Sequence, residues 1–312
     1  MKTLFMRVLK AALCAVCIFA AAPLWAEDKP ALELVVLGSG GPGALGRAAS
    51  SFLVLLDGVP RILVDAGPGS FTRLGEAGLP LARTDIVLLT HLHADHVGEL
   101  PGLFKARAVS SGGRITFRVF GPDGRKGRGD DATFPSTSRF LHLLFDKDGA
   151  FGYLREFSAP ITIKPTDIST ALKPESKVVL MENGLTIRAI AGHHRDAPAV
   201  IYRVDYAGKS ITFTGDIDPA GWPDLRTIAQ GTDLLVFNSV VLDPPGSPAV
   251  LYTLHTPPKT IGEIAHDTGA KRILLSHLSP AVENARDAVG ASIAQAYTGI
   301  VTFANDGDRL TP

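Results

Sequence analysis

The residues best suited to chemistry lie together in His91-Leu92-His93-Ala94-Asp95-His96. Ile86-Val87-Leu88-Leu89 runs just before them, an apolar stretch of the kind that forms a short buried strand, so three histidines and an aspartate emerge where that strand ends. Residues two apart in an extended chain point the same way, which lets His91 and His93 share one cation. A turn at Ala94 aims Asp95 and His96 at a second. Neutral imidazole and carboxylate are the nitrogen and oxygen ligands that Zn2+ takes in catalytic sites. With nine histidines in 312 residues, this clustering reads as a metal site and not as a solvated loop.

Three further runs end on the same residue types. Thr186 to Ala191 alternates like a half-buried strand and delivers Gly192-His193-His194; Lys209 to Gly215 delivers Asp216; Arg272 to Ser276 delivers His277. A sheet whose strand ends converge gathers all of these along one edge. One metal is then expected on His91, His93 and either His193 or His194, and a second on Asp95, His96 and His277. Asp216 has two oxygens and bridges them, with a hydroxide between. Two dications roughly 3.5–4 Å apart repel each other unless anions separate them. The two ions less Asp95, Asp216 and hydroxide leave a cleft of about +1, which suits an anionic or strongly polar ester. Zinc is the expected metal, two per chain, with manganese or iron as alternatives.

The elements that must hold these residues can be read in order. Leu32 to Leu37 is a strand followed by the glycine loop Gly38-Ser39-Gly40-Gly41-Pro42-Gly43. No helix pattern follows, so the loop reads as a close backbone approach to the site and not as a nucleotide cradle. Ser51 to Leu56 and Arg61 to Gly67 are two more strands, the latter placing Asp65 to orient the histidine loop or to cap a helix around Phe71 to Ala77. A short helix follows over Val97 to Ala106. Residues 121 to 176 change texture to Gly, Pro, charge and aromatics. They are expected to form an insertion, with one helix near Thr137 to Phe145, that leans over the site or is fastened to the core by those aromatics. His142 and His266 read as surface residues on helices. Arg125, Lys126 and Arg128 are partly cancelled by Asp130 and Asp131 and read as a solvated turn.

The first 26 residues have the form of an export signal: Lys2, Arg7 and Lys10, an apolar run from Ala11 to Ala22, and a small-residue cut site at Leu24-Trp25-Ala26. The run is shorter than the roughly 20 residues a membrane span needs. The expected mature protein, residues 27–312, is a periplasmic or secreted single α/β domain with no membrane contact after cleavage. Cys14 and Cys17 lie within the signal, so the mature chain has neither disulfide nor thiolate ligand. It keeps 31 acidic against 28 basic residues, a formal charge of −3, which argues against a nucleic-acid partner. A small-molecule ester is the expected partner, and a homodimer stays open.

Taken together, the glycine loop, Asp65, the 91–96 motif, the His194 region, Thr214-Gly215-Asp216 and Ser276-His277-Leu278-Ser279 resemble the metallo-β-lactamase-fold hydrolases over nearly the whole mature sequence. The resemblance implies an αββα sandwich of two mixed sheets covered by helices. His194-x-x-x-Pro198-Ala199-x-x-Tyr202-Arg203 is similar to the third ligand segment of the ribonuclease Z and arylsulfatase-like branch, which implies His194 over His193. Lactamases that use a cysteine ligand, and those lacking a bridging aspartate, resemble this chain less. The diiron oxygen reductases of the fold carry glutamate where His93 stands.

Ribonuclease Z has a histidine-glutamate pair where this chain has Asn238-Ser239; its later histidine is matched by His255-Thr256. The exported arylsulfatase-like members are the better match. The resemblance implies hydrolysis of a sulfate ester or phosphodiester by hydroxide held between two zinc ions. A lactone or β-lactam hydrolase on the same site is the alternative, and a ribonuclease Z-like nuclease or a non-catalytic zinc-binding protein comes further behind. Asp95 is expected to hold the nucleophile's proton and His255 to protonate the leaving group, unless Thr256 merely caps the following helix. Arg195 is a candidate for gripping a sulfate or phosphate oxygen.

Overall fold

The computed structural model describes residues 29–43, 46–127, 132–157, 159–171, 175–195 and 197–312. The export signal expected at residues 1–26 lies outside the described residues. Fourteen strands form among them: β1 Leu32–Gly38, β2 Ser51–Leu56, β3 Val59–Val64, β4 Ile86–Leu88, β5 Ile115–Pro122, β6 Ile161–Ile168, β7 Lys177–Glu182, β8 Leu185–His194, β9 Ala197–Tyr206, β10 Lys209–Phe213, β11 Leu234–Asn238, β12 Arg272–Ser276, β13 Ile300–Phe303 and β14 Arg309–Leu310. The helices are α1 Ser70–Ala77, α2 Ala94–Val97, α3 Leu100–Val109, α4 Thr137–Phe145, α5 Trp222–Ile228, α6 Pro258–Thr268, α7 Pro280–Glu283 and α8 Arg286–Ile293.

Two seven-stranded sheets result, ordered β14-β1-β2-β3-β4-β5-β6 and β13-β12-β11-β10-β9-β8-β7. Alternation along the strands explains why they stack. Leu34 and Val36 face one way and join Val54, Val64, Tyr202, Phe213 and Val236 in the core between the sheets. Val35 and Leu37 face the other way and pack with Leu103, Phe104 and Phe145 beneath α3 and α4. On the second sheet Leu235, Phe237 and Leu275 do the same with Ile261 and Ile264 of α6 and Ile293 of α8. Strands buried on both faces must be apolar through their middles, as β2, β4, β11 and β12 are, with polar residues only at their ends.

Parallel pairing then fixes the site. The pairs β3–β4–β5 in one sheet and β10–β11–β12 in the other run in the same direction, so their C-terminal ends lie together at one rim. The 121–176 stretch is tied into the sandwich at both ends. Gly121 and Pro122 complete β5, and residues 161–168 pair along the whole of β5 as an edge strand. Within it, Leu141, Phe145, Phe151 and Phe157 pack on the core beneath the first sheet.

Candidate metal centre

The 91–96 loop turns as expected, but by a helix: α2 starts at Ala94, with His93 extended at its N-cap. His91 and His96 are fully buried. Asp65, at the end of β3, organises the loop from below. Its carboxylate accepts from Thr90 N and Thr90 Oγ1, both at 2.8 Å, and from His96 Nδ1 at 2.7 Å. It does not cap α1, whose N-cap is Gly69. Thr90 gives its hydroxyl proton to Asp65, so its oxygen accepts from His91 Nδ1 at 3.2 Å. Both rings therefore turn Nε2 inward, where each is buried with no hydrogen-bond partner. Buried imidazole nitrogens left bare are costly unless a ligand completes them.

The second sheet supplies the opposing half. His194 ends β8 and donates from Nδ1 to Leu254 O at 3.0 Å, again leaving Nε2 inward. His193 points elsewhere: its Nδ1 lies 2.7 Å from the buried Asp218 carboxylate, which also accepts from Arg195 N. Gly215 holds φ +59, a conformation that favours glycine, and a Cβ there would come within 2.7 Å of Thr90; the turn releases Asp216 into the cluster. His277 follows β12 with φ +54, and Asp65 shares that left-handed conformation at φ +55. For a residue with a Cβ this costs about 1–2 kcal/mol, which the surrounding packing must offset. The glycine loop closes over His277: a Cβ on Gly41 would lie 2.5 Å from His277 Cε1.

Three sets of ligand atoms lie close enough to hold a cation: His91, His93 and His194; His91, His96 and Asp216; Asp95, His96 and His277. Asp216 Oδ2 sits between them, 3.6 Å from His194 Nε2 and 3.9 Å from His96 Nε2. The donor set is all imidazole and carboxylate, and with the bare Nε2 atoms of His91 and His96 it fits divalent ions such as zinc. All seven residues singled out as ligands, His91, His93, Asp95, His96, His194, Asp216 and His277, are thus brought to one place.

Electrostatics follow from burial and neighbours. Burial pushes His91 well below the usual imidazole value, helped by His96, and lowers His93 as well. Burial alone would lower His96 too, yet Asp65, with Asp216 and Asp95, lifts it to about 9. Asp95 and Asp216 are both held below the usual carboxylate range, since the surrounding imidazoles outweigh desolvation. Asp95 Oδ2 is 3.1 Å from His277 Nε2.

His255 stands at the cluster edge, 3.9 Å from Asp216 Oδ2, and burial lowers it to about 4. A resident imidazolium, as the leaving-group acid role supposes, is therefore disfavoured at neutral pH. Thr256 does not cap α6; it donates to Ile217 O and accepts from Trp222 Nε1. Arg195 is exposed and is not in the cleft wall.

A cavity of about 480 Å3 opens over the cluster. Its walls are rich in carbon, with Pro42, Val240, Leu251, Leu254 and Leu278. Among the described residues of the 121–176 stretch, Phe134 approaches the site, its ring centroid 6.3 Å from that of His93. Arg47 is a wall residue that sequence reading did not single out. It bonds Ser39 Oγ, Ala304 O and Glu283 Oε2 at 2.7–2.8 Å, so its role depends on partners remote in the chain.

The profile of the beta-lactamase superfamily domain matches residues 60–278, well over half of the chain. The chain belongs to the metallo-β-lactamase superfamily. Its two mixed sheets flanked by helices are the fold of that superfamily, as the resemblance implied, and the protein is a metal-dependent hydrolase of it. A ribonuclease Z of Mycobacterium avium (strain 104) is 27% identical over 290 residues, covering 89% of this chain and 98% of that one. Among solved structures, the human short-form tRNase Z superposes with a TM-score of 0.65 at 22% identity, over 90% of this chain and 99% of that one. The fold protein YhfI of Bacillus subtilis gives 0.64 at 20% identity, over 89% and 98%. The two structures share this superfamily member's fold.

Proposed function

We propose that the protein is a dinuclear zinc hydrolase of small sulfate or phosphate esters, working in the periplasm or outside the cell. The observation that carries this reading is the position of Asp216 Oδ2 between His194 Nε2 and His96 Nε2, with a three-residue ligand set on either side. On this reading His91, His93 and His194 hold one ion, Asp95, His96 and His277 the other, and Asp216 both. Ions held there would supply Lewis-acid chemistry, lowering the pKa of water from near 16 to about 7 and polarising an ester oxygen.

The chain's own groups do the rest. Asp95, ionised, accepts a hydrogen from the attacking water and fixes its direction. His255, neutral, serves as a hydrogen-bonding group beside the leaving oxygen and not as a resident charged acid. The carbon-rich wall of Val240, Leu251 and Leu254 excludes water and seats an apolar leaving group. A cavity of about 480 Å3 suits a small molecule, as sites of this kind span roughly 300–1,000 Å3.

A second reading, cleavage of an RNA phosphodiester, is favoured by relatives named ribonuclease Z that align over nearly their full length. Against it stand the acidic balance expected of the mature chain and Asn238-Ser239 in place of an ionisable pair. One experiment separates these: count metals on the purified protein and assay aryl sulfate, bis-aryl phosphate, lactone, cephalosporin and a tRNA precursor side by side. Two zinc ions with fastest turnover of a sulfate or phosphate ester is the expected result. Preference for the RNA, or bound zinc with no turnover at all, would overturn it. Recovery from the periplasm with Glu27 as first residue tests the location.

A further inference from the structure

The strand β11 lies between β10 and β12, so its last residue, Asn238, stands between the ends that release Asp216 and His277. Asn238 is buried and donates from Nδ2 to Asp216 Oδ1 at 2.7 Å. The two carboxylate oxygens of Asp216 are thereby made unequal. Oδ1 is occupied by the amide, and the candidate ligand nitrogen near it is His277 Nε2 at 3.6 Å. Oδ2 carries no amide contact and faces His194 Nε2 at 3.6 Å and His96 Nε2 at 3.9 Å, one from each ligand set.

We infer that Asn238 is a positioning residue for Asp216: the amide fixes the carboxylate through Oδ1 and leaves Oδ2 turned between the two ligand sets. The inference rests on the dinuclear reading above. Three features support it. The hydrogen bond is buried, where an orienting contact keeps its strength and a lost one leaves a carboxylate oxygen bare. The donor is fixed to the backbone of a central strand with partners on both sides, and so cannot drift. The amide is also uncharged, so it orients Asp216 without cancelling the negative charge that two neighbouring cations require. A lysine or arginine there would neutralise the bridge, and a carboxylate would add a competing ligand.

The test uses the full chain and zinc itself. Zinc is titrated against a chromophoric chelator in the unaltered protein and in Asn238→Leu, Asn238→Ser and Asn238→Gln, the serine being a smaller change should leucine not fold. Expected is unchanged affinity for the first zinc in the leucine and serine variants and a second zinc bound about 10–100-fold more weakly, the usual effect of removing a group that orients a ligand. The glutamine variant, which keeps an amide N–H donor without adding an imidazole ligand, regains most of the loss. In the manganese-loaded protein, the magnetic coupling between the two ions, read by electron paramagnetic resonance, changes in the leucine and serine variants, a signature that a purely structural role would not move. Equal weakening of both zinc sites, or an unaltered second site, overturns the role of Asn238 while leaving the dinuclear reading in place. Fewer than two zinc ions on the unaltered protein would overturn both.

Discussion

The first sheet delivers four candidate ligands, His91, His93, Asp95 and His96, from six consecutive residues, whereas the second delivers His194, Asp216 and His277 from three separate strand ends. The supports differ in the same way. Behind the first group, one buried carboxylate, Asp65, accepts three hydrogens and fixes two rings at once, His96 directly and His91 through Thr90. Behind the second, each ligand has its own tether: Leu254 O for His194, Asn238 for Asp216, and the face of Gly41 for His277. A compact ligand loop can be organised locally, at the cost of depending on one residue. Dispersed ligands depend on sheet register, which many contacts maintain together, and no single tether should be decisive for stability.

The largest effect should therefore follow Asp65→Asn. It removes a buried charge paired with His96 and turns one acceptor oxygen into a donor facing Thr90 or His96. Breaking a buried pair of this kind costs about 3–5 kcal/mol. Denaturant unfolding of the metal-free protein would read the loss, and zinc counting would show the second ion gone. A change below about 1 kcal/mol, within the range of an ordinary hydrogen bond, would mean that the loop is not organised by Asp65 and would end the contrast.

The same contrast explains what could be read from the sequence. The seven candidate positions were legible because histidine is scarce, nine in 312 residues, and because each group follows an apolar run that a buried strand requires, while the choice of His194 over His193 came through the resemblance. The αββα layering was legible through the resemblance and through strands such as Ser51–Leu56 that are buried on both faces. Edge strand β6 was not, because Lys164, Pro165, Thr166 and Asp167 are exposed and carry no pattern of burial; proline is tolerated there since an edge leaves one side unpaired. Arg47 and Asn238 were missed for another reason. Their partners Glu283 and Asp216 are chosen by tertiary folding, and nothing local distinguishes them from any surface arginine or strand-end amide. His255 was picked out by its residue type, but the burial that lowers it to about 4 was not legible, because burial is a property of the fold.

Next in size should be Gly41→Ala. The added carbon must displace His277 or the loop, as it would lie 2.5 Å from Cε1 and 2.7 Å from Nδ1. Zinc affinity at the second position should fall about 10–100-fold, while the midpoint of denaturant unfolding of the metal-free protein barely moves. Loss of stability comparable to that of Asp65→Asn would show that the second group is as locally organised as the first.

Proton release offers a gentler probe. In the metal-free protein His96 keeps its proton up to about pH 9 because of Asp65. The sign of this for stability is favourable at low pH: the contribution is fully present below the ordinary imidazole value near 6.5 and is lost as pH rises through 9. For zinc the sign reverses, since the ion must displace that proton. Affinity for the ion that uses His96 should rise about tenfold per pH unit below 9, with close to one proton released from that ring. Calorimetry in buffers of different ionisation enthalpy measures this, and affinity flat between pH 6 and 8 would contradict the pairing.

The smallest effect should come from Thr256→Val, which tests the second group's side of the comparison alone. Thr256 links the loop after Asp216 to the start of α6, donating to Ile217 O at 2.9 Å and accepting from Trp222 Nε1 at 2.9 Å. Valine keeps the volume and removes both hydrogen bonds. If the dispersed ligands are held by register, the loss should be only that of the bonds themselves, about 1–2 kcal/mol. Both zinc ions should remain, because β10, β11 and β12 still pair along their length and still bring Asp216 and His277 to the same rim. A variant that folds with that modest penalty yet fails to hold two zinc ions would show that the Thr256 tether, and not the sheet, places Asp216.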